Sequence, residues 1–147
     1  MKITICGSIA FKKEMTELKN QLKKLGHEVQ EPPAKVYNAA GEPISVQEDY
    51  QIRKSASPQE TWVWQRKAEA IHKHFDKIDW CDVILVANYD KNDVAGYIGA
   101  NTLLEMGLAF YLKKKIYLLK PVPEISYQEE ILGLQPTVID GNLSLIK

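Results

Sequence analysis

The chain has 147 residues, 45% of them hydrophobic and 26% charged, enough for one domain with a buried core. Nineteen basic and nineteen acidic side chains cancel, so no global field draws the molecule to a nucleic acid polymer or an anionic membrane. No apolar run reaches the length of about 18 residues that a membrane span needs, and the opening MKITICGSIAF lacks the apolar core and cleavage site of a signal peptide. Cys6 and Cys81 have no partner at metal-site spacing and read as reduced, buried thiols of a cytoplasmic protein.

Lys2–Cys6 (KITIC) reads as a first strand ending at Gly7-Ser8. Phe11, Met15, Leu18, Leu22 and Leu25 then step by four and three, one face of a helix, and Gly26 stops it. His27–Gln30 is a second strand, closed by Pro32-Pro33, and the strand–helix–strand unit implies a right-handed crossover into a parallel pair. Ala34–Ser57 shows little periodicity and reads as a long loop, either mobile or presenting Tyr37, Tyr50 and Arg53 to a ligand. Ser57-Pro58-Gln59-Glu60 has the form of a capping box with Pro at the first helical position. The helix it opens is expected to bury Trp64, Ala68, Ile71, Phe75 and Ile78 and to run to about Asp79.

The stretch Val83–Asn88 (VILVAN) is a short run of branched residues, as in a strand buried on both faces. A polar loop with Asp90, Asp93, Gly96 and Gly99 follows, then the helix-like ANTLLEMGLAFYL, apolar almost all round. Lys115–Leu119 is the next strand. Ser126 and Glu129 form a second capping box opening a short helix that stops near Gly133, and Thr137–Ile139 is the last strand. The alternation predicts a single α/β domain over residues 1–147: a doubly wound parallel five-stranded sheet, flavodoxin-like, in order 2-1-3-4-5. That order sets strands 1 and 3 side by side, so Gly7-Ser8 and the loop from Asn88 to Gly99 face one another across a cleft at the carboxyl ends of the strands.

Several residues there are suited to chemistry. Gly7 and Ser8 lie between a strand and a helix, where backbone amides hold anions, although Gly7 also suits a tight turn. Gly96, Gly99 and Asn101 precede the next helix and expose amides, and Asn101 alternatively serves as its N-cap. Glu105 sits among Leu103, Leu104, Met106 and Leu108, so its carboxylate is expected to be partly buried near a helix start. Such a carboxylate is a suitable nucleophile, and a Glu in the first turns of a helix is also an ordinary structural feature. His72, His74 and Asp76 lie on the preceding helix, with His74 and Asp76 on different sides; either can act as a general acid, or the histidine can be a surface residue. Trp62, Trp64 and Trp80 read as core and rim. The chain has no GxGxxG, no GxxxxGK[ST], no GxSxG and no Cys/His set at zinc spacing.

KITICGSIAF, DWCDVILVANYD and GANTLLEMGLAFYLKKKIYLL together resemble the nucleoside 2-deoxyribosyltransferase superfamily, which includes the 2′-deoxynucleoside 5′-phosphate N-hydrolases. The resemblance implies a flavodoxin-like sheet and a glutamate in an E-x-G helix that attacks the sugar C1′ and expels the base. Glu105-Met106-Gly107 matches that motif, and Gly7-Ser8 matches the loop that binds sugar or phosphate. Two departures stand out. Gly96 and Gly99 lie nine and six residues before Glu105, further than in the compact family pattern, and His74 occupies a position where the family tends to place Asp.

The resemblance therefore implies cleavage or transfer at the N-glycosidic bond of a (deoxy)nucleoside or its 5′-monophosphate. Glu105, His74 and Asp93 would be catalytic, and Gly7, Ser8, Asn88, Gly96, Gly99 and Asn101 would bind substrate. No cofactor and no metal is implied. Water as acceptor makes a hydrolase and a second base makes a transferase. The implied partners are a small-molecule nucleoside or nucleotide and, through the apolar helix, a second copy of the chain in a homodimer or higher homo-oligomer. The alternative on the same fold is a non-catalytic nucleotide-binding module.

Overall fold

The two most apolar runs pair with each other. Lys2–Cys6 (β1) lies parallel to Val83–Val86 (β5), with Ile3 opposite Val83 and Cys6 opposite Val86. The computed structural model describes residues 1–147. Glu28–Gln30 (β2) adds to the outer edge of β1, Lys115–Leu118 (β6) to β5, and Thr137–Val138 (β7) to β6, all parallel. The order β2-β1-β5-β6-β7 is the expected 2-1-3-4-5 of five strands, a flavodoxin-like α/β sheet.

Side chains alternate along each strand, so each strand feeds two cores. Ile3, Ile5, Val83 and Leu85 pack with Met15, Leu18 and Leu22 of Lys12–Lys24 (α1) and with the tail residues Leu143 and Ile146. Cys6, Ile84 and Val86 pack on the other face with Ile78 of Thr61–Trp80 (α3), Met106 and Ala109 of Ala100–Tyr111 (α4), and Ile131 of Gln128–Gly133 (α5). Both faces are covered, as parallel sheets require. No helix is long and apolar enough to cross a membrane.

The stretch Ala34–Ser57, expected to be a loop, is structured. Lys35–Tyr37 (β3) and Pro43–Ser45 (β4) form an antiparallel hairpin, and Val46–Ser55 (α2) follows. Asn38 Oδ1 closes the hairpin by accepting from the amides of Ala40 and Glu42 at 3.0 and 2.9 Å. Ser45 caps α2, its Oγ accepting from Glu48 N at 3.1 Å. Ser45-x-x-Glu48 is therefore a helix start that periodicity alone passed over.

The two expected capping boxes do not open helices. Pro58-Gln59 form a turn closed by Glu60 N to Ser57 O, and the Ser57 carbonyl also accepts from the Trp64 indole. Glu60, with a ψ of 75°, is not helical, so α3 begins only at Thr61, although Glu60 Oε1 does accept from Ser57 N at 3.1 Å. Likewise α5 begins at Gln128, after a turn from Ile125, with no side-chain cap. The buried face of α3 is also shifted. Val63, His74 and Ile78 are buried, while Trp64 and Ala68 are exposed.

Candidate functional site

The cleft lies at the carboxyl ends of β1 and β5 and holds about 300 Å³, at the lower end of the range for small-molecule sites. Gly7 and Ser8 line one wall, Gly99, Asn101 and Glu105 the other, and α2 and α3 close the sides with Arg53, Lys67 and His74. Gly7 is hemmed in: a Cβ there would lie 3.1 Å from the Ala87 carbonyl and 3.3 Å from Met15 Sδ, so a larger residue would push its neighbours apart by a few tenths of an ångström.

Glu105 stands one turn inside α4 and is only 5% exposed. Its Oε1 accepts from Asn101 Nδ2 at 2.8 Å. Its Oε2 is buried with no hydrogen-bond partner and lies 3.6 Å from His74 Nε2. Burial pushes the Glu105 carboxyl up to about 8, against the pull of the Cys6 thiol, the Lys67 ammonium and the Asn101 amide. His74 is pushed down to about 4, first by burial and then by Lys77, so at pH 7 it is neutral and too weak an acid to protonate a departing group. It stands behind Glu105 rather than on the surface. Burial, with Glu105 next to it, raises the Cys6 thiol well above its usual range.

Asn101 is not the N-cap of α4; Gly99 is. The Asn101 side chain instead links Glu105 to Lys67, whose Nζ donates to Oδ1 at 2.9 Å. Lys67 and His74 are seven residues apart on α3, hence on one helical face, and that face meets the Glu105 face of α4. Four cations line the cleft, Lys12, Arg53, Lys67 and Lys91, against two acids, Asp49 and Glu105. Lys12 is held by Glu31 and Arg53 by Asp49. Lys91 has no acidic partner; it reaches across the cleft mouth to Ser8 Oγ at 2.9 Å and lies over the Tyr97 ring.

Three expected site residues lie elsewhere. Asn88 is buried and spent on structure: Nδ2 donates to the carbonyls of Gly96, Lys120 and Pro121, and Oδ1 accepts from Lys120 N at 2.9 Å. Gly96, with φ of +66°, packs so tightly that a Cβ would lie 2.7 Å from the Pro121 carbonyl. Asp93 and Asn92 are the left-handed tip of a two-residue turn between Lys91 and Val94, closed by bonds of 3.1 and 3.0 Å. Asp93 is exposed and lines a separate groove with Asp90, Gly96 and Glu124, away from Glu105. Asp93, expected to be catalytic, is thus a turn residue that does not line the cleft with Glu105.

Of the loop residues, Tyr50 and Arg53 line the cleft, carried there by α2, while Tyr37 lies outside it. His72 and Asp76 face solvent. Cys6, Lys67 and Lys91 were not foreseen. The seven-residue spacing of Lys67 and His74 was the one signal for Lys67, and alternation along β1 the one for Cys6.

No family model and no curated protein matches the chain. Among solved structures, it is similar to a 2-deoxyribosyltransferase of the psychrotolerant bacterium Bacillus psychrosaccharolyticus, with 17% identity, TM-score 0.48, covering 80% of this chain and 71% of that one. It is similar to a CMP N-glycosidase of Clostridium botulinum, with 20% identity, TM-score 0.49, covering 94% and 85%. It is also similar to a 2-deoxyribosyltransferase of Leishmania mexicana, with 15% identity, TM-score 0.47, covering 82% and 67%. With every identity below 25% and every TM-score below 0.5, what the cleft does has to follow from its own geometry.

Proposed function

We propose that the cleft cleaves or transfers at the N-glycosidic bond of a (deoxy)nucleoside or its 5′-monophosphate, with Glu105 as nucleophile. The observation that carries this reading is Glu105 Oε2: a buried carboxylate oxygen without a hydrogen-bond partner, on the wall of a cleft at the sheet's switch point. The Glu105-Met106-Gly107 resemblance supports it independently. Oε2 bonds C1′ as the C1′–N bond breaks, through an oxocarbenium-like transition state. The base leaves with the electron pair and takes a proton from water at the open mouth. Water or a second base then attacks C1′ and frees the carboxylate.

Asn101 holds Oε1 and so fixes the Glu105 carboxyl, and Lys67 holds Asn101. His74 Nε2 lies 3.6 Å from Oε2, but with a pKa of about 4 against about 8 for the carboxyl it stays neutral, neither taking the carboxyl proton nor protonating the base. Lys91, Ser8 and the amides at the start of α4 favour an anionic group, which suits a 5′-phosphate. Tyr50 and Tyr97 give the cleft aromatic surface for a base.

A second reading, a module that binds nucleotide without cleaving it, is favoured by the burial of Glu105, which pushes its carboxyl up to about 8 and so favours the protonated form at pH 7. Incubation with a panel of deoxynucleosides and their monophosphates, with free base detected chromatographically, separates the two. Release of a base that is lost in Glu105→Gln supports the enzyme. Binding without release from any substrate favours the module.

A further inference from the structure

Three buried side chains from three separate elements converge beside the cleft: Cys6 at the end of β1, wholly buried, and His74 on α3 and Glu105 on α4, which line it. Cys6 Sγ lies 3.5 Å from His74 Nε2, and the same nitrogen lies 3.6 Å from Glu105 Oε2. All three ligand atoms fall within 4.8 Å of one another. Zinc bonds of about 2.0–2.3 Å in a tetrahedron set neighbouring ligand atoms roughly 3.3–3.6 Å apart. Two edges of the triangle already have that length.

The second observation is the orphaned oxygen. Oε1 is satisfied by Asn101, while Oε2 is buried and unpartnered. A buried acceptor without a donor is costly and rare. An ion seated among Oε2, Nε2 and Sγ would satisfy it. A thiolate and a carboxylate would also balance a divalent charge, so the filled site is neutral and avoids a lone buried anion. Mixed sulfur, nitrogen and oxygen donors suit zinc rather than the oxygen-seeking calcium or magnesium.

We propose that Cys6, His74 and Glu105 form a three-ligand Zn²⁺ site whose fourth position opens to the cleft. Sγ, Nε2 and Oε2 bond the ion, and the protons held by the thiol and the carboxyl pass to solvent. Asn101, through Oε1, orients the carboxylate ligand as an outer-shell partner. The site stands on these contacts alone. One consequence rests on the proposed function: zinc occupies the oxygen that would attack C1′, so zinc inhibits base release.

The test uses the whole chain, stripped with EDTA and dialysed, then titrated with Zn²⁺ by calorimetry and with Co²⁺ by absorption. One ion per chain is expected. The cobalt form should show a near-ultraviolet thiolate-to-metal band and the intense visible bands of a four-coordinate site. Cys6→Ser should lose the near-ultraviolet band, and Cys6→Ser and His74→Gln should each weaken zinc binding at least about tenfold. A parent chain without the thiolate band, or zinc binding unchanged in both variants, overturns the site. The parent spectrum needs no variant and decides the matter even if one fails to fold. Base release is assayed separately in EDTA, so an inactive protein that binds zinc and an active one that does not are told apart.

Discussion

On the mechanism proposed above, Glu105→Gln keeps the shape of the side chain and the bond from Asn101 but removes the attacking anion. Base release should fall by orders of magnitude, ligand affinity should change little, and thermal stability should hold or rise because a buried ionisable group is gone. Activity, affinity and melting temperature measured together distinguish this from a structural glutamate, for which release persists. Glu105 also makes stability depend on pH in a defined direction. In the folded, metal-free chain it keeps its proton up to about pH 8, whereas the unfolded chain loses it near 4.5. Across that window the folded state binds more protons, so stability falls as pH rises. His74 acts oppositely, with a pKa of about 4 folded against 6.5 unfolded, so its contribution rises with pH between those values. The two offset each other where they overlap, and the Glu105 loss stands alone from pH 6.5 to 8, worth about 2 kcal/mol. Urea denaturation in EDTA should show that decline, and Glu105→Gln should be flat across the interval. On the proposed mechanism base release needs the anion, so its rate should climb over the same pH range.

At the level of elements, the loop after β5 is held by a side chain expected to touch substrate. Asn88 ties the end of β5 to the end of β6 and to Gly96 through four hydrogen bonds. Asn88→Ala leaves buried groups unpaired and should lower stability by about 1–3 kcal/mol, measured by denaturant unfolding. Gly96→Ala adds left-handed strain of about 1–2 kcal/mol to a contact that has no room. The strands and their order were legible because Lys2–Cys6 and Val83–Asn88 carry the apolar, branched signature of doubly covered strands. Glu105 was legible as a carboxylate in apolar company. The β3–β4 hairpin and α2 were not, since their order depends on Asn38 and Ser45 bonding to nearby amides, which leaves no hydrophobic period. Asp93 misled because an acid in a glycine-rich loop and an acid at a left-handed turn tip look alike until the turn closes. The meeting of Cys6, His74 and Glu105 was hidden for another reason: metal-ligand spacing is a property of neighbours in sequence, and these three come from elements far apart in the chain.

At the level of the molecule, the single chain leaves Leu104 and Tyr111 of α4 56% and 80% exposed, on one face with Leu108 between them. That face is the basis for expecting a homodimer or larger assembly. Sedimentation at micromolar concentration should show self-association, and Leu104→Glu with Tyr111→Glu should shift the chain toward monomer without lowering its helix content. The parallel sheet has a further consequence, in the order of events during synthesis. β1 can pair early with β2, since Lys2 opposes Glu28, but its other neighbour is 80 residues away, from Ile3 to Val83. At about 5–20 residues per second, that is a wait of roughly 4–16 seconds on the ribosome. Through it, Ile3 and Ile5 have α1 to cover one face, while the inner edge of β1 stays unpaired. Nascent chains arrested short of Val83 should therefore be the ones that chaperones hold and proteases cut, and chains long enough to include Leu118 should escape both.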